Sequence, residues 1–239
     1  MNARFDWVLF DAGGTLLGTD TGQERWYEQF FVNACLDQGI TVTPAQVAAA
    51  LEVAGRTRPP GPRFTTPERV RTFWEHTYST CFGALIPGVD AATLAGHYID
   101  RFEAGEFVEL FPDSLETLDL VRASELRAGI VSNFGLYLGS FLRTLGIADY
   151  FELVLISAEE GLEKPDQQIF ETAIARTGSP PERIMFVGDH LLEDYEASGQ
   201  AGMFPVLVDR ADAHRDRPRT RRVRRLDQIG RFLDGEGRR

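Results

Sequence analysis

Four residues of this chain stand where short apolar runs end, and their side chains are a carboxylate, a hydroxyl, an ammonium and a second carboxylate. Asp11 follows Trp7-Val8-Leu9-Phe10 and precedes Gly13-Gly14. Ser132 follows Ala128-Gly129-Ile130-Val131, Lys164 lies beyond Leu153-Val154-Leu155-Ile156, and Asp189 follows Ile184-Met185-Phe186-Val187-Gly188. A single acid at a strand end is most often a turn former or helix cap. Four such groups in order, at successive strand ends, are different, because ligands of doubly wound sheets bind outside the carboxyl ends of the strands. Carboxylates, a hydroxyl and a positive point charge held together there are the groups of acid–base, nucleophilic and electrostatic chemistry. The lysine adds weight: of 25 basic residues, Lys164 alone is not arginine. Beside chance, the chemical reading is a site that needs a compact point charge, for which a planar guanidinium does not substitute.

The elements that must position these groups are legible from periodicity. The apolar runs read as buried strands, with a further one at Val206-Leu207-Val208, and they alternate with helical segments at 114–123, 137–145 and 166–176. Continuously apolar strands separated by helices predict a parallel sheet covered on both faces. Between the first strand and residue 108 the pattern is helical throughout. A helix is expected over 23–38, with Trp26, Phe30, Phe31 and Cys35 at helical spacing. Thr43-Pro44 and Thr66-Pro67 are cap-and-start signals for two more, the first ended by Gly55 and the second near Phe82. Asp90 caps a fourth helix, ending near Gly105. The predicted architecture is α/β: a Rossmann-like doubly wound core over 1–17 and 108–239, with a four-helix domain over 18–107 inserted after the first strand.

Composition bounds the function classes. The chain has 239 residues, 43% hydrophobic and 26% charged, ordinary for a globular protein. Its formal net charge of −11 argues against binding nucleic acid through the whole surface. Residues 210–239 hold eleven Arg against five Asp or Glu, but Leu226, Ile229, Phe232 and Leu233 behind the run have helical spacing. That segment is expected to pack on the acidic body of the protein. Met1–Arg4 lead into a strand without the charged start and apolar run of an export signal, and no apolar run approaches the ~20 residues needed to span a bilayer; the expected location is the cytoplasm. Cys35 and Cys81 lack nearby ligand partners for zinc and read as reduced thiols.

In these motifs the sequence resembles the haloacid dehalogenase superfamily of phosphohydrolases. Asp11 with Gly14-Thr15 matches its first motif and Ser132-Asn133 the second. Lys164 in Glu163-Lys164-Pro165-Asp166 matches the third, and Gly188-Asp189 with Asp194 the fourth. The helical insert is similar to the family's C1-type cap. The resemblance implies that Asp11 attacks phosphorus and forms an aspartyl-phosphate. It implies a Mg²⁺ cofactor on the Asp11 side chain, the Gly13 carbonyl and the Asp189 side chain, with Asp194 behind them. Gly14, Thr15, Ser132, Asn133 and Lys164 are the implied substrate-binding set, and the implied partner is a small phosphorylated metabolite. Three acids total −3 against +2 for Mg²⁺ and +1 for Lys164, so a phosphate dianion is not repelled.

The departure is Gly13. Phosphatases of this family usually carry a second Asp there, which protonates the leaving group and activates water. Losing such a group costs 10²- to 10⁴-fold, about 3–5 kcal/mol, least for good leaving groups such as acyl and aryl phosphates. Two alternatives remain: a metal-independent 2-haloacid dehalogenase, and a non-catalytic protein that binds phosphate or a partner. The phosphonatase branch needs a cap lysine, and residues 18–107 contain none. His190 is a weak candidate to replace the acid, because a histidine following a strand-end Asp is more often a helix-start residue. Arg56, Arg58 and Arg63 read as solvated linker residues in preference to substrate contacts.

Overall fold

The computed structural model of the chain describes residues 4–18 and 26–233. Residues 1–3, part of the segment read for an export signal, lie outside the described residues, as does the expected start of the first helix at 23–25.

The chain opens with β1 (Trp7–Phe10), turns and forms the short β2 (Leu17–Gly18). Helices α1 (Trp26–Asp37), α2 (Pro44–Thr57), α3 (Pro67–Leu85) and α4 (Ala91–Glu103) follow before β3 (Glu109–Leu110). From there strands and helices alternate: α5 (Ser114–Ala123), β4 (Arg127–Ser132), α6 (Leu138–Thr144), β5 (Phe151–Ile156), α7 (Ser157–Glu160), α8 (Gln167–Thr177) and β6 (Ile184–Gly188). A π-helical turn over Leu191–Glu196 leads into α9 (Ala197–Gln200), β7 (Phe204–Val208), β8 (Arg222–Val223) and α10 (Gly230–Leu233).

The main sheet has the order β5-β4-β1-β6-β7-β8, with every neighbouring pair parallel. Strands β1, β6 and β7 are buried along their whole length and β4 from Ala128 onward, covered on both faces, which is why they read as apolar runs. Within β1, Val8 and Phe10 pack with Leu118 and Val121 of α5 and with Leu138 and Phe141 of α6. Trp7 and Leu9 point the other way, to Ile169, Phe170 and Ala173 of α8. The order places the carboxyl end of β1 at the centre of one sheet edge, between those of β4 and β6, so Asp11 starts from the middle of that edge.

The chain leaves the sheet through β2 and returns through β3, which pair antiparallel with Leu17 opposite Leu110 and Gly18 opposite Glu109. This two-stranded ribbon is invisible to periodicity because each strand has two residues. Between its strands α1–α4 enclose an apolar cluster of their own, including Phe31, Val47, Tyr78, Phe82 and Tyr98. The start signals act as read: the Thr43 side chain accepts from Gln46 N in a capping box, Thr66 accepts from Arg69 N and Asp90 from Thr93 N. The expected stop at Gly55 is corrected, since α2 continues to Thr57. A mid-helix glycine costs only about 1 kcal/mol, and the neighbouring Ala54 is buried in the insert core. Helix α3 likewise runs past Phe82 to Leu85, another buried residue.

The described part of the arginine-rich segment packs on the body through its apolar residues, with a few ion pairs to acids in and outside the segment. Its Arg222 pairs with Asp209 (3.0 Å) and Asp212, and Arg217 with Glu196 (3.3 Å). Behind it Leu226, Ile229 and Phe232 are buried. Both cysteines are free and buried, and burial pushes the Cys81 thiol up to about 12. No helix among the described residues is long and apolar enough to cross a membrane.

Candidate active site

The turn after β1 is built around a glycine that no other residue could replace without movement. Asp11 N continues the ladder to Val187 O (2.9 Å), and Gly14 N donates to Leu17 O (2.8 Å), closing the loop. Gly14 has φ +80°, and a Cβ there would stand 2.4 Å from a carboxylate oxygen of Asp189. The close approach lets Asp189, from the end of β6, lie against the first turn, where the Thr15 hydroxyl donates to its Oδ1 (3.1 Å).

Lys164 joins the remaining acids. Its Nζ donates to Asp11 Oδ1 at 2.7 Å and to Asp194 Oδ1 at 2.5 Å, with the lysine side chain 2% exposed. Asp194 comes from the π-helical turn, and its second oxygen accepts from His190 N (2.9 Å). Gly188 makes room for it: a Cβ at 188 would lie 2.3 Å from the Asp194 carboxyl carbon. The oxygens of Asp11, Asp189 and Asp194 can all lie within 4.8 Å of one another.

Three carboxylates around one ammonium leave the cluster short of positive charge. Burial pushes the Asp11 carboxyl above its ordinary value, and Lys164 offsets this only in part. Asp189 is open to the pocket on one side but confined by protein on the others. That confinement, followed by the charges of Asp11 and Asp194, raises its carboxyl well above the usual range. For Lys164 burial works against the charge, but Asp11 and Asp194 outweigh it, so the ammonium is held above its normal pKa.

A cavity of about 310 Å³ opens over this cluster, bordered by Asp11, Gly13, Ser132, Asn133, Lys164, Asp189 and Asp194. Gly14 and Thr15, implied as substrate contacts, do not border it. Thr15 is fully buried and bonds Asp189, and Gly14 leaves room for that carboxylate. Asn133 borders the cavity, but its side-chain amide is committed to Lys164 and Glu193: Nδ2 donates to Lys164 O (2.9 Å) and to Glu193 Oε2 (3.1 Å), and Oδ1 accepts from Lys164 N (2.8 Å). His190 caps the π-helical turn, its Nδ1 accepting from Glu193 N (3.1 Å), which is the helix-start role.

Comparison with known proteins matches this arrangement to a family. Residues 5–202 match the haloacid dehalogenase-like hydrolases. Haloacid dehalogenase-like hydrolase domain-containing protein 3 of Danio rerio is 30% identical over 239 residues, spanning 96% of each chain. The chain belongs to the haloacid dehalogenase-like hydrolases. Another similar protein is a glyceraldehyde 3-phosphate phosphatase of Methanothermobacter thermautotrophicus, 30% identical over 216 residues, covering 87% of this chain and 88% of the relative. In fold it resembles the magnesium-bound YfnB of Bacillus subtilis, with a TM-score of 0.73, 20% identity, and coverage of 97% of this chain and 99% of the other.

In this hydrolase the insert supplies site residues that sequence reading missed. Arg63, read as a solvated linker residue, is instead 22% exposed; its Nη2 donates to Glu193 Oε1 (2.6 Å) at the cavity. The adjoining backbone is held by Glu163, whose Oε2 accepts from Arg63 N (2.8 Å) and Phe64 N (2.5 Å). Arg56 and Arg58 do remain exposed, Arg56 on Glu52 (2.7 Å). Adjacency of Glu163 to Lys164 was the one available signal. No spacing rule connects it to residue 63, because the contact spans a hundred residues.

Proposed function

We propose that this hydrolase is a Mg²⁺-dependent phosphohydrolase acting on a small phosphorylated molecule. The observation that carries the reading is the Asp11–Lys164–Asp194 cluster, with Asp189 beside it, at the floor of a cavity. The similarity to a glyceraldehyde 3-phosphate phosphatase supports it. The donors fit a hard divalent cation: they are all oxygens, and the acids crowd with one lysine to balance them. Asp194 has both oxygens engaged, by Lys164 Nζ and His190 N. Asp11 and Asp189 therefore remain to hold the ion, with the Gly13 carbonyl. When bound, Mg²⁺ supplies charge neutralisation for the phosphoryl group.

In this reading an Asp11 oxygen attacks phosphorus and the bond to the leaving oxygen breaks, giving an aspartyl-phosphate that water then hydrolyses. Ser132, at the end of β4, donates to a phosphoryl oxygen. Lys164 keeps Asp11 anionic and balances phosphate charge, and Asp194 holds Lys164 in place. Residues 1–17 and 108–239 act as the core domain and 18–107 as a C1-type cap that covers the site, in a cytoplasmic protein.

Gly13 cannot move a proton, so turnover favours leaving groups that depart without one. The experiment is phosphate release from a panel of acyl and aryl phosphates, with and without Mg²⁺, beside Asp11→Asn. No Mg²⁺-dependent release from any of them sinks the reading. Halide release from 2-haloacids without metal replaces it with dehalogenation.

A further inference from the structure

The cavity has two unlike parts. Its floor is the charged cluster; its walls are rings. Phe64, Phe73 and Trp74 form one group, with centroids 4.9 Å apart for Phe64–Phe73 and 4.7 Å for Phe73–Trp74. Phe102, Phe134 and Tyr137 form another, at 5.9 Å for Phe102–Tyr137 and 5.4 Å for Phe134–Tyr137. All six border the cavity. The Trp74 indole N–H donates to the Tyr137 hydroxyl oxygen, which leaves Trp74 no donor for a ligand and Tyr137 one O–H. Apart from that hydroxyl, what the two offer a ligand is ring surface.

Two of the polar side chains between floor and rings, Arg63 and Asn133, are already paired with protein groups. Arg63 is paired with Glu193 (2.6 Å) and lies 3.8 Å from Glu163. The Asn133 amide is used by Glu193 and the Lys164 backbone. A sugar phosphate or bisphosphate entering here would exchange the hydration of its hydroxyls or second phosphate for apolar surroundings and groups already engaged. A neutral aromatic ring loses no such hydration and gains stacking and edge contacts. At about 310 Å³ the space is at the small end of ligand pockets, matching one or two rings and a phosphoryl group.

We infer that the substrate class of this site is the phosphate monoester of a neutral phenol, held by its ring against Trp74 and Phe134 with its phosphoryl group at Asp11. The inference rests on the phosphohydrolase reading, and the gap at Gly13 agrees with it. As the Asp11 oxygen–phosphorus bond forms, the phosphorus–aryl oxygen bond breaks. The electron pair leaves on oxygen as a phenolate, whose conjugate acid has a pKa of about 10. It takes its proton from water afterwards, so no acid at position 13 is needed.

The test separates ring recognition from leaving-group chemistry and uses the full-length protein with Mg²⁺. Binding of phenylphosphonate and methylphosphonate, neither of which is hydrolysed, is measured by calorimetry, and kcat and KM are measured for phenyl, benzyl, n-butyl and glycerol phosphates. Phenylphosphonate binds about tenfold or more tighter than methylphosphonate, as burying one ring implies. KM for benzyl phosphate falls below that for butyl and glycerol phosphates by a similar factor, although all three leave as alkoxides. Trp74→Ala and, independently, Phe134→Leu each reduce the phenyl-over-methyl preference. Equal phosphonate affinities, or a lower KM for glycerol phosphate than for benzyl phosphate, overturn the aromatic site while leaving the phosphohydrolase standing. No turnover of any ester overturns the hydrolytic reading instead.

Discussion

Asn133 grips the backbone of Lys164 from both sides, its Oδ1 accepting from Lys164 N at 2.8 Å and its Nδ2 donating to Lys164 O at 2.9 Å. A residue at the end of β4 thus fixes the chain that carries the buried ammonium. Asn133→Ala is expected to lower kcat by about 10- to 100-fold, the order of effect of a sub-ångström to 1 Å misplacement in an active site. Stability should fall by only about 1–3 kcal/mol, the scale of lost hydrogen bonds. Steady-state kinetics with urea unfolding checks both. An unchanged kcat with a large stability loss would assign Asn133 a purely structural role.

Lys164 balances Asp11 and Asp194 in a buried setting, so its removal leaves acids without a partner. Lys164→Met is expected to cost about 3–5 kcal/mol of stability, as when one member of a buried ion pair is deleted, and to abolish turnover. Lys164→Arg should not restore activity, because a planar fork cannot occupy the point between Asp11 Oδ1 and Asp194 Oδ1. Wild-type turnover by the arginine variant would refute this account of the single lysine.

At Gly13 there is room for an acid. A Cβ built at that position meets the Phe134 ring at 3.6 Å, an ordinary contact, so Gly13→Asp is expected to fold. Its turnover on alkyl phosphates should rise by about 10²-fold or more, the range of general acid–base catalysis, and on phenyl phosphate by much less. Rates for both esters across leaving-group pKa decide it. Equal change on the two would remove the proposed consequence of Gly13.

The pH dependence of folding should carry a signature of Asp113. Burial alone would raise its pKa, but hydrogen bonds from Arg210 (2.8 and 3.0 Å) and Leu226 N (2.7 Å) outweigh it and hold the carboxyl below its ordinary value. A depressed folded pKa means that the unfolded chain takes up protons first. The stabilisation is complete above the unfolded value of about 3.9 and disappears as pH falls through the folded one. Asp113→Asn should be less stable than wild type at pH 7 by about 3 kcal/mol, and the gap should narrow below pH 4. Urea unfolding at pH 7 and near pH 3 measures it.

Much of the architecture is legible in the sequence, for reasons local to the chain. Buried parallel strands must be apolar on both faces, so β1, β4, β5 and β6 announced themselves as short unbroken runs. Helices α2, α3 and α4 began where Thr43, Thr66 and Asp90 offered side-chain oxygens to orphan N–H groups. The stops were less legible: Gly55 marked no end because the packing of its neighbours decides whether a helix continues. The β2–β3 ribbon and β8 were too short to have a period.

For the site, the sequence by itself determined which groups come from the carboxyl edge of the sheet: Asp11, Ser132 and Asp189 at strand ends and Lys164 in the loop after α7, with Gly13 two residues after Asp11. Strand ends and residue types are properties of neighbouring positions, and one lysine among 25 basic residues is visible without a fold. Tertiary structure decided what those groups touch. It set Thr15 on Asp189 instead of facing the cavity, committed Asn133 to the Lys164 backbone, and brought Arg63 from an apparently solvated loop onto Glu193. It also assembled six rings from separate segments into a wall over the charged floor. Contacts between residues a hundred positions apart depend on how the insert folds back onto the sheet, and no periodicity in the chain encodes that return.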